Sequence, residues 1–201
     1  MILDQNHLMA STAGFNPRAS AERQRETPLT RMGKSWPDAP ERYFCGSWDE
    51  RNPLNVPGPF YGAETDTCWD GPIYARASLL CDEAGQGFVW RQPRNDAKTH
   101  ALLTGASSDP CRGFAWDGND YWTPPAVRRW WRERAERAVT IAALTALLTQ
   151  MTVTSPEPDW GALAREYNSY LEGPIERDLR DYLFFLEEAR YPAVDEVRPD
   201  L

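Results

Sequence analysis

The loop-rich stretch from Tyr43 to Trp69 concentrates the side chains best suited to chemistry. Its carboxylates and thiols lie close together in sequence: Cys45, Asp49, Glu50, Glu64, Asp66 and Cys68. Converging carboxylates can transfer protons or bind hard cations, and a thiolate can act as a nucleophile. For an enzyme, we expect Cys45 or Cys68 as nucleophile and three carboxylates as acid–base groups, namely Asp49, Glu64 and Asp66. The alternative is a proline-ordered loop whose acidic side chains face water.

No catalytic or cofactor motif accompanies these residues. The sequence lacks a G-x-S-x-G turn and a phosphate-binding glycine loop. Four cysteines are available as metal ligands, together with His7 and His100, but no two cysteines have the C-x₂₋₄-C spacing of common zinc and iron–sulfur loops. The cysteines are Cys45, Cys68, Cys81 and Cys111. We therefore predict no metal site and no cofactor, although residues distant in sequence can still converge.

A second unusual segment is RRWWRERAER, residues 128–137, which holds five arginines and two glutamates and so carries a local charge of +3. Arginine beside tryptophan can bind an anionic partner through cation–π contacts and charge-assisted hydrogen bonds. The residues that we predict to bind a partner are Arg128, Arg129, Trp130, Arg132 and Arg134. The alternative is that these arginines pair with carboxylates of their own domain.

Charge and hydropathy exclude several classes of function. The chain has 201 residues, with 22 Lys and Arg against 30 Asp and Glu, so its net charge is -8. An acidic chain is repelled by nucleic acid and by anionic membrane surfaces, so we predict neither as a partner. No run approaches the roughly 18 apolar residues of a membrane span, and the N-terminus lacks a basic, then apolar, export signal. A cytoplasmic protein with reduced cysteines is therefore expected.

Residues 1–40 are predicted to form a flexible arm, because prolines interrupt them and no apolar stripe develops. A strap that orders on the domain or on a partner is the alternative, with a short helix over 18–26. Residues 41–195 are predicted to form a single domain, and 196–201 a C-terminal tail. Aromatic and β-branched runs predict strands over 42–48, 73–80 and 87–92. Asn95 is expected to cap a helix that runs to Leu103.

The last 80 residues show helical periodicity. Thr123 and Pro124 begin a long predicted helix, a second follows Asp159 and ends at Gly173, and Pro174 opens a third that ends before Pro192. The apolar stripe of the first is Val127, Trp131, Ala138, Ile141, Leu144, Leu148 and Met151. The expected fold class is α+β, with a small strand-rich and loop-rich N-terminal half packed against three C-terminal helices.

Three stretches carry a family resemblance: RYFCGSWDERNPLNVPGPFYGAETDTCWDG, WTPPAVRRWW and YLFFLEEARYP. Together they resemble a group of small uncharacterised actinobacterial proteins, some of which carry a ferredoxin label. The resemblance spans about residues 41–195. The implied iron–sulfur role conflicts with the cysteine spacing, which departs from the common ferredoxin patterns. No functional residue is carried over from this group.

These patterns favour a cytoplasmic, non-catalytic binding or accessory protein that acts through a protein partner. Because the chain is acidic, an inhibitor or neutralising partner of a basic protein is one specific form of this hypothesis. A small enzyme with a carboxylate and cysteine site in the 43–69 loop is the alternative. A metal-binding or iron–sulfur protein is the second alternative.

Overall fold

Helices dominate the architecture. The computed structural model describes residues 14–24, 30–31, 34–35, 40–66, 69–154 and 159–201. Within these residues the α-helices are α1 (Pro17–Arg23), α2 (Asp70–Ala75), α3 (Asp96–Ala106), α4 (Pro124–Arg132), α5 (Arg134–Thr154), α6 (Trp160–Glu172) and α7 (Ile175–Glu188). Short 3₁₀ turns span Pro40–Tyr43, Trp48–Glu50 and Gly118–Asp120.

The strands are short and pair only as antiparallel ribbons. β1 (Thr30–Arg31) pairs with β2 (Lys34–Ser35), β3 (Tyr61–Gly62) with β6 (Phe114–Ala115), and β4 (Leu79–Cys81) with β5 (Gly87–Val89). A mixture of helices and small sheets confirms the α+β class at this coarse level. Loops and helices, rather than strands, make up most of the described region between residues 40 and 120.

Two of the predicted strands are wrong in detail. The segment 42–48 runs beside residues 112–114, where the N–H groups of Cys45 and Gly46 donate to the carbonyls of Arg112 and Phe114, but it forms only one isolated bridge, at Phe44. The segment 73–80 begins inside α2 and becomes a strand only at Leu79. Neither segment alternates apolar and polar residues regularly, so side-chain burial does not impose a strand along its length.

The predicted long helix after Thr123 is interrupted at Glu133, whose backbone (φ -84°, ψ 5°) ends α4 before α5 begins. Two arginine side chains bond carbonyls at the break. Arg137 Nη1 donates to the Trp130 carbonyl at 3.0 Å, and Arg134 Nη1 donates to the Trp131 carbonyl at 3.1 Å. Because a helix end leaves its last carbonyls without backbone donors, these guanidinium groups stabilise the interruption.

The largest hydrophobic core lies between α4, α5, α6 and α7 and includes Leu54 and Val56 from the loop of residues 52–61, which we call the proline-rich loop. Trp130 is buried in it, whereas Trp131, which we placed in the core stripe, is only partly buried. Met151 at the end of that stripe is exposed. The predicted second and third helices are confirmed as α6 and α7. The apolar stripes that we predict for them are buried except for Leu186, which is only partly buried: Trp160, Leu163, Tyr167, Tyr170 and Leu171 in α6, and Ile175, Leu179, Tyr182, Leu183 and Leu186 in α7.

Part of the predicted arm lies against the domain. Helix α1 buries Ser20 and Ala21 completely, and the Ser20 hydroxyl donates to Asp96 at the start of α3 at 2.6 Å. The predicted C-terminal tail is also docked, because Arg198 pairs with Asp181 and the Asp200 carbonyl accepts from Arg128. Residues 1–13, 25–29, 32–33 and 36–39 of the predicted arm lie outside the described residues. In the described ranges, no helix has the length and hydropathy to cross a membrane.

Asn95 caps α3 as predicted, since its side-chain oxygen accepts from the Lys98 N–H at 2.9 Å. Replacement of Asn95 by alanine removes this acceptor, so we expect the free energy of unfolding to fall by about 1 kcal/mol. Urea unfolding followed by circular dichroism measures the change. Asn95→Asp keeps an acceptor and is expected to stay close to the wild type; equal losses in both variants would contradict the capping role.

Candidate functional site

A cleft of about 550 Å³ separates the proline-rich loop from the start of α4. The loop between Trp48 and Asn55 forms one wall, and residues between Tyr121 and Arg137 form the other. Its volume lies in the range of roughly 300–1,000 Å³ that is usual for ligand sites. The two segments that stand out in the sequence therefore meet at a single concave surface.

Asn55 fixes the loop wall. Its side chain is buried and donates to the carbonyls of Asn52 at 2.6 Å and Gly62 at 2.8 Å. Its oxygen accepts from the N–H groups of Gly62 at 2.9 Å and Val89 at 2.8 Å. An asparagine amide offers two donors and two acceptor positions, so this side chain is fully satisfied. It joins the loop to β3 and β5.

Two aromatic side chains attach the loop to the helices. The indole N–H of Trp130 in α4 donates to the Asn55 carbonyl at 3.0 Å. The Tyr167 hydroxyl in α6 donates to the Leu54 carbonyl at 2.8 Å, and burial raises the pKa of that tyrosine above its ordinary value. Because both donors are buried and paired, the loop is held at a fixed distance from α4 and α6.

Trp48 is the centre of an aromatic group at the cleft. Its ring stacks on Tyr121 with the ring centres 4.9 Å apart, and it meets Trp122 and Tyr61 edge-on at 5.3 Å each. The Tyr61 hydroxyl donates to Asp117 at 2.8 Å; burial, and then this hydrogen bond, raise the pKa of Tyr61. Stacked and edge-on pairs of this kind stabilise a rigid surface.

The cleft is positively charged. Three arginines, Arg51, Arg129 and Arg137, line it against a single carboxylate, Glu133, so the local net charge is +2 in a chain of -8. Glu133 pairs with Arg137 at 3.0 Å, and the Arg137 guanidinium also lies 4.7 Å from the Trp130 ring centre. Arg51 lies 4.1 Å from the Trp48 ring centre. Within the described residues, neither Arg51 nor Arg129 pairs with a carboxylate.

The predicted partner-binding residues divide between the cleft and the rest of the domain. Arg129 and Trp130 line the cleft, and Arg129 is exposed. Arg128 instead pairs with Glu187 at 3.2 Å, as the internal-pairing alternative expected. Arg134 lies over the Trp131 ring at 3.9 Å. Arg132 is exposed but does not line the cleft.

The sequence analysis missed several residues that form the cleft: Trp48, Arg51, Tyr121, Trp122 and Arg137. A local signal existed only for Arg51, which follows Trp48 by three residues and therefore stacks on it within one turn. Tyr121 and Trp122 reach Trp48 across more than 70 residues of chain. No sequence periodicity encodes that contact.

The predicted catalytic residues do not converge on the cleft. Cys45, Asp49 and Glu64 are exposed, and no hydrogen bond in the described part of the chain joins any two of them. Asp66 is exposed as well, and Cys68 lies outside the described residues. None of the four described residues lines the cleft. This geometry gives the enzyme hypothesis no support.

Asp109 is a buried carboxylate near the predicted catalytic loop, and its role is structural. One oxygen accepts from the N–H groups of Asp66 at 2.9 Å and Cys111 at 3.1 Å, and the other accepts from Gly113 at 2.6 Å. Three backbone donors satisfy a carboxylate without a ligand. Asp109 therefore ties residues 64–66 to the turn before β6.

A metal centre would need at least three cysteine, histidine or carboxylate side chains close together. In the described ranges, no three of these side chains lie close enough together to hold a metal ion. Cys45, Cys81 and Cys111 are not in disulfides, and Cys45 and Cys111 are exposed. Partial desolvation of the Cys111 sulfur, and then the negative charge of nearby carboxylates, raise the pKa of its thiol, which disfavours the reactive thiolate.

Comparison with known proteins identifies no relative of this chain. No protein-family model matches the chain, and neither a curated protein nor a solved structure matches it. The chemistry of the cleft is therefore the basis for assigning a function.

Proposed function

We propose that this is a non-catalytic binding or accessory protein that acts through a protein partner, and that the cleft is its contact surface. One observation carries the proposal. The cleft brings together the proline-rich loop and the arginine–tryptophan helix start, and it leaves Arg51 and Arg129 without carboxylate partners in the described structure. Arginine, tryptophan and tyrosine are the residue types that contribute most to protein–protein binding energy.

Rigidity of the cleft also supports this function. Trp48 is fixed by stacking on Tyr121, and the loop wall is fixed by the hydrogen bonds of Asn55. A preorganised surface loses little side-chain entropy when a partner binds, which increases affinity. The cleft is less suited to acid–base catalysis, because its carboxylate, Glu133, is already paired with Arg137.

The net charge of the chain, -8, affects which kind of partner it attracts. An acidic, cytoplasmic protein can attract a basic partner from a distance, so an inhibitor or neutralising partner of a basic protein remains one specific form of the hypothesis. The resemblance to actinobacterial proteins stays a prediction and contributes no function.

Site-specific crosslinking tests the proposed contact surface. A photo-crosslinking phenylalanine analogue at Tyr121, which is exposed at the cleft, should capture one stoichiometric partner when the full chain is expressed in its native cytoplasm. Arg129→Glu in the same chain should reduce capture by about 10-fold, since it reverses a charge in the cleft. Arg132→Glu makes the same change on the same helix outside the cleft and should leave capture intact. No stoichiometric partner, or equal capture by both variants, would refute the proposal.

A further inference from the structure

We infer that the cleft receives an acidic segment of the partner, whose carboxylates pair with Arg51 and Arg129. This inference rests on the proposed function and names the chemistry of the partner. It follows from which hydrogen-bond donors in the cleft are already used by the protein and which remain available.

Arg137 is committed to the domain. Its guanidinium donates to the carbonyls of Pro53 at 3.4 Å and Trp130 at 3.0 Å, and to Glu133 at 3.0 Å. These bonds use all three of its nitrogens and neutralise its charge. Arg137 therefore supports the cleft wall and the break between α4 and α5, and its charge is already paired with Glu133.

Arg51 and Arg129 have that capacity. A guanidinium carries five N–H donors, and the described structure uses one nitrogen of Arg51, which donates to the Trp48 carbonyl at 2.8 Å. The side chain of Arg129 makes no hydrogen bond or ion pair within the described residues. The planar donors of arginine match the two oxygens of a carboxylate. Stacking on Trp48 holds Arg51 in place, so binding orders it at a low entropy cost.

The aromatic group adds an apolar contact beside these charges. Tyr121 is 46% exposed although it stacks on Trp48, so its ring can contact an apolar side chain of the bound segment. A basic segment would instead place its charges against Arg51 and Arg129. Glu50 and Asp82 lie beside the cleft but do not line it, so the charges inside the cleft decide which kind of segment it favours.

Fluorescein-labelled hexaglutamate and hexalysine peptides test the preference directly by fluorescence anisotropy with the full chain. We expect hexaglutamate to bind the wild type and to bind Arg51→Glu/Arg129→Glu about 100-fold more weakly, because two attractive contacts become repulsive. The matched control is Arg76→Glu/Arg132→Glu, which reverses two exposed arginines outside the cleft and should bind like the wild type. Circular dichroism and thermal unfolding of both double variants establish that each is folded.

Several results would overturn the inference: no hexaglutamate binding to the wild type, equal binding to both double variants, or tighter binding of hexalysine than of hexaglutamate. Inorganic phosphate serves as a competitor in the same assay. If phosphate displaces hexaglutamate when both are present at the same concentration of negative charge, the cleft is a general anion site and not a site for an acidic segment.

The crosslinking experiment separates this inference from the proposed function. A partner captured at Tyr121 through a segment of net negative charge supports both. Capture through a basic segment in an Arg129-dependent manner leaves the proposed function standing and overturns the inference. Hexaglutamate binding without any captured partner refutes the proposed function and supports the anion preference of the cleft.

Discussion

Replacing Asn55 by alanine will lower the free energy of unfolding by about 3 to 4 kcal/mol, since each buried polar group left without a partner costs about 1 to 3 kcal/mol. The substitution removes the acceptor of two buried N–H groups, those of Gly62 and Val89. The Gly62 carbonyl keeps the Asn52 N–H as a donor at 2.9 Å, so the N–H groups carry most of the loss. Equilibrium urea unfolding measures the change.

Asn168 provides a matched control for Asn55. It is half-buried in α6 and, within the described residues, makes a single side-chain hydrogen bond, to the Thr145 hydroxyl at 3.1 Å. Asn168→Ala is therefore expected to cost about 1 kcal/mol or less. If the Asn55 variant lost no more stability than the Asn168 variant, its side-chain network would not organise the loop.

The adjacent tryptophans of α4 allow a second large effect to be measured against an internal control. Trp130→Ala is expected to destabilise the protein by about 3 to 5 kcal/mol, the usual cost of truncating a buried large aromatic side chain. It also removes the indole donor to the Asn55 carbonyl. Trp131→Ala should cost about 1 to 2 kcal/mol, because that ring is only partly buried. Thermal and urea unfolding of the two variants give the comparison.

Trp130→Phe separates packing from hydrogen bonding at this position. It keeps an aromatic ring and loses the N–H, so a loss of about 1 to 2 kcal/mol is expected. The double variant Asn55→Ala/Trp130→Phe should lose less free energy of unfolding than the two single variants lose together. The reason is that both substitutions weaken the same connection between the loop and α4. Equal costs for Trp130→Ala and Trp131→Ala would show that the core does not distinguish the two rings.

Local chemistry made part of the fold predictable. The start of α3 follows from the asparagine before it, and the bounds of α6 and α7 follow from Asp159, Gly173 and Pro174 together with an apolar period of 3.6 residues. These signals lie within a few residues of the features that they specify. The strands were less predictable, since ribbons two or three residues long depend on which distant segment lies beside them.

By itself, the sequence determined the α+β class, the capped helices of the C-terminal half and the two segments, 43–69 and 128–137, that contribute residues to the cleft. Only the tertiary structure decided that Trp130 rather than Trp131 enters the core, that arginine side chains bond the carbonyls at the break after α4, and that Arg51 and Arg129 line the same cleft. The physical reason is distance along the chain. Caps and helical periods act within one or two turns, whereas the cleft depends on packing between segments about 80 residues apart, which no local pattern specifies.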